Sequence, residues 1–256
     1  MARGKHFKKT KKSYKILSLI LFIMIIISAT YITNHFNDKK QVLKESKLLN
    51  TIEVDETKIT EEKTERMLQM EELQKQNSDI VGWVEIEGTN ISYPVMQGED
   101  NEFYMKHNYL KEENTYGSLF LDKDYDWNNK SSNLLIYGHN MQDGTMFHDL
   151  LNYADEQYYK KHPTVRFTTA EEDAQYDIIS AFRSRVYYKS EKNVFRYYYF
   201  VNPKNEEEYN EFVENAKKSS LYDTGKTAEY GDNLITLSTC AYHTEDGRFA
   251  VIARKR

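Results

Sequence analysis

Leu234–Arg254 reads LITLSTCAYHTEDGRFAVIAR, and its texture changes twice. An apolar run from Leu234 to Thr239 leads into Cys240, a polar loop of seven residues follows, and Arg248 opens a second apolar run to Ala253. Two such runs around a glycine-containing loop read as a pair of strands. If they pair as an antiparallel hairpin, Cys240 and Arg248 meet at one end of the sheet. That end is open to substrate, and a neighbouring cation favours thiolate or oxyanion charge. The arginine reads equally well as a strand edge, so the hairpin alone leaves its role open.

Working outward, the same texture recurs. Short apolar or alternating runs occur at Trp83–Ile86, Ile91–Tyr93, Gly117–Leu121, Asn133–Tyr137, Thr164–Thr168, Gln175–Tyr187 and Val194–Phe200. Many short strands separated by polar turns predict a mainly β fold, a barrel or a sandwich. Two helices are expected beside them. Residues 61–76 carry Met67, Met70 and Leu73 on one stripe. Residues 205–218 begin with a capping Asn205 and acids at Glu206–Glu208, and end on Lys217 and Lys218. Tyr209, Phe212, Val213 and Ala216 give this second helix one apolar face.

The amino terminus differs from everything after it. Residues 1–15 hold Arg3, Lys5, Lys8, Lys9, Lys11, Lys12 and Lys15 and no acid. Setting those seven aside from 35 basic residues leaves 28 against 40 acidic ones, a main body near −12. So acidic a body argues against a nucleic-acid partner, because phosphate binding needs clustered Lys and Arg. Ile16–Ile32, ILSLILFIMIIISATYI, is uncharged, and with its flanks reaches the length of a membrane-crossing helix. The basic cluster orients that end to the cytoplasm. A cleaved secretory signal shares these features, but Ser28-Ala29-Thr30 is a poor cleavage site and large residues follow. Either reading exports the main body. The expected organisation is a basic cytoplasmic tail at 1–15, a signal anchor at 16–33, an extracytoplasmic stalk at 34–60 and a catalytic domain at 61–256.

Export gives meaning to the cysteine count. The single Cys240 has no intramolecular disulfide partner, so it is a buried inert thiol or a free reactive one. Count alone favours the inert thiol; the local sequence points the other way.

Thr236–Cys240, TLSTC, followed by Arg248 at a strand start, closely resembles the signature of sortases. Tyr137–Asn140, YGHN, resembles the segment that carries the family's catalytic histidine. Gly88–Tyr104, GTNISYPVMQGEDNEFY, and Gly117–Asp122, GSLFLD, look like the amino-terminal half of class B sortases, as does the helix at 205–218. The resemblance spans about residues 61–256. It implies a closed eight-stranded β-barrel with N-terminal helices and one helix inserted between late strands.

The resemblance also implies roles. Cys240 attacks the carbonyl of a Thr in a sorting signal and forms a thioester. His139 protonates the departing amine and assists deprotonation of the incoming one. Arg248 hydrogen-bonds the substrate or stabilises the oxyanion. Asn101, Met105 and Ser238 occupy positions that line the sorting-signal groove. The implied partners are surface proteins bearing a C-terminal Asn-Pro-x-Thr-Asn-like or Pro-x-Thr-Gly-like signal and a peptidoglycan precursor amine in preference to a pilin lysine; the apolar N-terminal stretch adds membrane lipid. The cell type implied is a Gram-positive bacterium. No cofactor is implied.

Competing chemistries fit less well. His243 lies three residues from Cys240, but a loop neighbour need not face the thiol. His107, His148 and His162 read as scattered surface or packing residues. There is no HExxH or paired-Cys arrangement for zinc. Asp122, Asp124 and Asp126 begin like a calcium loop, yet Trp127 stands where that loop needs Gly and Asn133 where it needs Glu. A papain-like order fails, because His139 precedes Cys240. No convincing S-x-x-K context supports a serine transpeptidase. An exported cysteine endopeptidase would use the same three residues, with water resolving the thioester. A non-catalytic wall-binding module would dispense with Cys240.

Overall fold

The computed structural model describes residues 10–129 and 131–256. The chain divides into two compact units, one ending at Gln41 and one running from Val42 to Arg256. Of the expected basic tail, residues 1–9 lie outside the described residues. Helix α1 (Thr10–Glu45) carries the apolar stretch, whose side chains from Ile16 to Ile32 are exposed. By length and composition it can cross a membrane. The second unit begins inside the segment expected as a stalk, because Val42 and Leu49 are buried among barrel residues.

Helix α2 (Glu65–Gln76) starts where Thr64 accepts a hydrogen bond from the Met67 amide, and it buries the expected Met67, Met70 and Leu73. Eight strands follow: β1 (Ile80–Glu85), β2 (Ser92–Met96), β3 (Leu119–Leu121), β4 (Asn133–Gly138), β5 (Thr164–Thr168), β6 (Asp173–Arg185), β7 (Leu234–Cys240) and β8 (Gly247–Lys255). They close as a barrel in the order β1-β2-β3-β4-β7-β8-β6-β5. The β2–β3 and β4–β7 pairs are parallel, and the remaining pairs are antiparallel. Closure removes the exposed edges that an open sheet would present.

Alternation along the strands separates two faces. Ile136, Ile235, Leu237, Phe249 and Val251 fill the interior with residues from the other strands. Leu135, Leu234, Ala250 and Ile252 belong to a second cluster outside the wall. Helix α3 (Glu156–Lys161) and a preceding 3-10 segment, His148–Ala154, were not expected from the sequence; Leu150 and Tyr153 of that segment join the interior.

Helix α4 (Glu206–Ser219) lies between β6 and β7 in the chain and covers the outer cluster. Asn205 caps it, its side chain accepting from the Glu208 amide at 2.9 Å. Tyr209, Phe212, Val213 and Ala216 are buried as the spacing predicts. Each large apolar side chain so buried contributes roughly 1.5–3 kcal/mol.

One expected strand is absent. Val194–Phe200 instead contains a 3-10 turn at Tyr197–Tyr199. Tyr197 and Phe200 are buried while Tyr199 is 69% exposed, a spacing of three that suits a 3-10 turn and not a pleated strand. Phe200 stacks on Phe212 of α4 at 3.8 Å between ring centroids, so this aromatic run packs under a helix and pairs with no strand.

Candidate active site

The site grows from the end of β7. Cys240 and Arg248 are register partners in the β7–β8 pair, and the Ala241 amide donates to the Gly247 carbonyl at 2.9 Å. Only glycine allows that approach: a Cβ on residue 247 would stand 1.9 Å from the Ala241 carbonyl oxygen. Asp246 completes the reversal with φ of 51°. Cys240 is half-buried and Arg248 is likewise only partly covered.

The parallel β4–β7 pair sets the histidine. Tyr137 pairs with Ser238 and Gly138 with Thr239, and the Thr239 hydroxyl donates to the Gly138 carbonyl at 2.7 Å. Gly138 faces the packed interior, where a Cβ would stand 2.2 Å from Leu119 Cδ2 and 2.7 Å from Phe147 Cδ2. Alternation then turns His139 to the outer face, alongside Cys240 in the extended register. Its Nε2 donates to the Met105 carbonyl at 2.8 Å.

A cleft of about 270 Å³ on this face is lined by all six residues the sequence singled out: Cys240, His139, Arg248, Asn101, Met105 and Ser238. Arg248 donates through Nη1 to the carbonyls of Gly247 at 3.0 Å and Asp246 at 3.4 Å. Asn101 is held by Asp122: its amide donates to that carboxylate at 3.0 Å, while its carbonyl accepts from the Lys123 amide at 2.8 Å. The Tyr137 hydroxyl donates to the same carboxylate at 3.1 Å. The aspartates 122, 124 and 126 therefore form turns, with the Asp124 and Asn128 amides donating to Asp122 and Asp126.

Sequence reasoning missed several cleft residues. Phe120, Tyr137, Val186, Tyr197 and Tyr198 also line it. Tyr197 is wholly buried and its hydroxyl lies 2.7 Å from Ser238 Oγ. Burial pushes the phenols of Tyr197 and Tyr137 up; the Arg248 cation acts against burial at both. His243 is exposed on the β7–β8 loop and does not line the cleft. His148 is more than a packing residue: its Nδ1 lies 2.8 Å from Asn140 Oδ1, and Asn140 Nδ2 donates to the Cys240 carbonyl at 3.1 Å. Period and local motif carry no sign of this contact, which joins residues 100 apart.

A closed barrel with a thiol, an imidazole and a guanidinium around one cleft has the makings of a cysteine acyl-transfer enzyme. The comparisons with known proteins make the assignment definite. A family model described as the sortase domain matches residues 84–256. Sortase B of Staphylococcus aureus is 29% identical over 249 residues, covering 96% of this chain and 98% of the relative. Sortase B of Listeria monocytogenes is 30% identical over 231 residues, covering 88% of this chain and 89% of the relative. Among solved structures, a Staphylococcus aureus sortase B–substrate complex superposes with a TM-score of 0.73 at 29% identity, covering 86% of this chain and 98% of that one. The chain belongs to the sortase family. Within it the chain is of class B, cysteine transpeptidases that anchor proteins to the cell wall.

Proposed function

We propose that Cys240 is the nucleophile of this transpeptidase, His139 its acid and base, and Arg248 the group that holds the substrate carbonyl or the oxyanion. The observation that carries this reading is the register pairing of Cys240 with Arg248 beside a cleft that His139 also lines. The thiolate adds to the carbonyl carbon of a Thr in the sorting signal, forming a C–S bond and a tetrahedral oxyanion. Collapse breaks the Thr C–N bond, and the departing amine takes its proton from His139. An incoming amine then attacks the thioester, gives its excess proton to His139 and releases the thiolate as the new amide forms.

Arg248 binds its own loop through Nη1, which leaves Nε and Nη2 as donors for the developing negative charge. Asn101, Met105 and Ser238 line the cleft, which supports their role as sorting-signal contacts. The aromatic wall of Phe120, Tyr137, Tyr197 and Tyr198 supplies apolar surface for the same peptide. The signal is of the Asn-Pro-x-Thr-Asn or Pro-x-Thr-Gly type and the acceptor a peptidoglycan precursor amine. A basic cytoplasmic tail at 1–15, an uncleaved anchor at 16–33 and an extracellular catalytic unit complete the proposal. The apolar surface of α1 supports the anchor.

The test offers the full-length chain, in detergent, a library of fluorogenic sorting peptides with and without an amine. Cleavage at Thr that vanishes in Cys240→Ala, with an amide product, is the expected result. Activity surviving that substitution rejects Cys240 as nucleophile. Hydrolysis with no amide product, whatever amine is supplied, would make the chain an endopeptidase.

A further inference from the structure

Asn140 stands between the two strand ends that carry the proposed chemistry. It directly follows His139, and its Nδ2 donates to the carbonyl oxygen of Cys240 at 3.1 Å. Its Oδ1 lies 2.8 Å from Nδ1 of His148. These contacts leave one assignment of hydrogens. The Cys240 carbonyl can only accept, so the amide nitrogen of Asn140 must face it. Oδ1 then faces His148 and can itself only accept, so Nδ1 of His148 must bear the hydrogen. A neutral His148 is therefore the Nδ1–H tautomer.

The peptide that follows the nucleophile is tied at both of its polar atoms. Asn140 holds its carbonyl, and its N–H, that of Ala241, donates to the Gly247 carbonyl at 2.9 Å. The segment bearing Asn140 is itself braced, since the Phe147 amide donates to the His139 carbonyl at 2.9 Å and Asn140 pairs with Met146 in an isolated bridge. His148 follows at once, at the start of the 3-10 segment whose Leu150 and Tyr153 are anchored in the barrel interior. A rigid element thus reaches through His148 and Asn140 to the main chain of Cys240.

We propose that Asn140 and His148 are positioning residues for acyl transfer, an inference that rests on Cys240 being the nucleophile. Asn140 fixes the plane of the Cys240–Ala241 peptide and the separation between the Cys240 and His139 backbones. His148 fixes which way the Asn140 amide faces. Neither side chain touches the reacting atoms. Their effect falls on the alignment of thiol and imidazole, where a displacement of 1 Å costs on the order of a hundredfold in rate.

The experiment measures transfer from an Asn-Pro-x-Thr-Asn peptide to a glycine-based amine by the full-length chain in detergent. Asn140→Ala is expected to lower kcat by about 10- to 100-fold while KM stays within twofold. Asn140→Asp, which sets a carboxylate oxygen against the Cys240 carbonyl, loses at least as much. His148→Ala loses about tenfold, whereas His148→Asn, which keeps an N–H donor near the Nδ1 position, recovers most of the rate. Nitrogen NMR of labelled histidine in the unmutated protein reads the tautomer without any variant, and a protonated Nδ1 on His148 is expected. Wild-type kcat in both alanine variants overturns the proposal, as does His148 bare at Nδ1. Cys240→Ala run alongside separates the two ideas. If it is inactive while Asn140→Ala is fully active, positioning fails alone; if it is active, the nucleophile and the positioning pair fall together.

Discussion

The phenol oxygen of Tyr197 lies 2.7 Å from Ser238 Oγ, with both residues buried. That contact joins the aromatic layer beneath α4 to the strand that ends in Cys240, two residues further on and on the same face. One side chain thereby serves the hydrophobic core and the wall of the cleft.

Tyr197→Phe keeps the ring and deletes the hydroxyl, leaving Ser238 without that partner. The expected cost is about 1–2 kcal/mol, a fall of a few degrees in melting temperature for a unit of this size. Calorimetry checks it, and an unchanged melting temperature would show that the bond contributes nothing.

Arg248 is expected to act through planar, forked donors and not through charge alone. Arg248→Ala should lower kcat by roughly 10²- to 10³-fold, the scale of losing an oxyanion donor. Arg248→Lys should recover less than tenfold of that loss, because a point ammonium cannot reproduce the guanidinium geometry. Full recovery by lysine in steady-state kinetics would reduce the role to charge.

Gly247 is required by close approach, since its added Cβ would stand 1.9 Å from the Ala241 carbonyl oxygen. Gly247→Ala should force the hairpin apart at the Cys240–Arg248 pair, costing about 1–3 kcal/mol and most of the transfer activity. The mutant's crystal structure or amide exchange at Ala241 would register the lost hydrogen bond; a wild-type exchange rate would refute the account.

A pH dependence follows from Asp173 on β6. Burial alone would raise its pKa, but hydrogen bonds from Arg166 at 2.7 Å and Thr168 at 2.9 Å outweigh burial and hold the carboxyl below its usual value. A depressed acid stabilises the fold above its unfolded pKa of about 3.9, and that stability is lost as pH falls through the lower folded value. Arg166→Met should therefore lower the melting temperature at neutral pH, with the gap to wild type closing as pH falls below about 4. A gap that stays constant into acid would assign the loss to packing.

Local information was enough for much of this molecule. The polar loop between two apolar runs foretold the β7–β8 hairpin, and with it the pairing of Cys240 with Arg248. Caps and a spaced apolar face placed α4 within one residue, because helix ends and faces depend on residues a few positions apart. The run at 194–200 misled for a related reason. Aromatic content favours strands, but only the tertiary packing under α4 gives Tyr197 and Phe200 their burial three residues apart.

The opening stretch, with its lone cysteine eight residues before an arginine, by its texture set those two residues at the facing ends of two strands. What it could not determine was their company. Asn140 reaches Cys240, and His139 reaches its cleft, through a parallel β4–β7 pair whose crossover contains β5, β6 and both later helices. Tyr197 reaches Ser238 from a turn under α4. Side-chain period reports which face a residue takes, and carries no record of which distant strand will lie beside it. That partner is chosen only when the barrel closes and every buried face must find its complement.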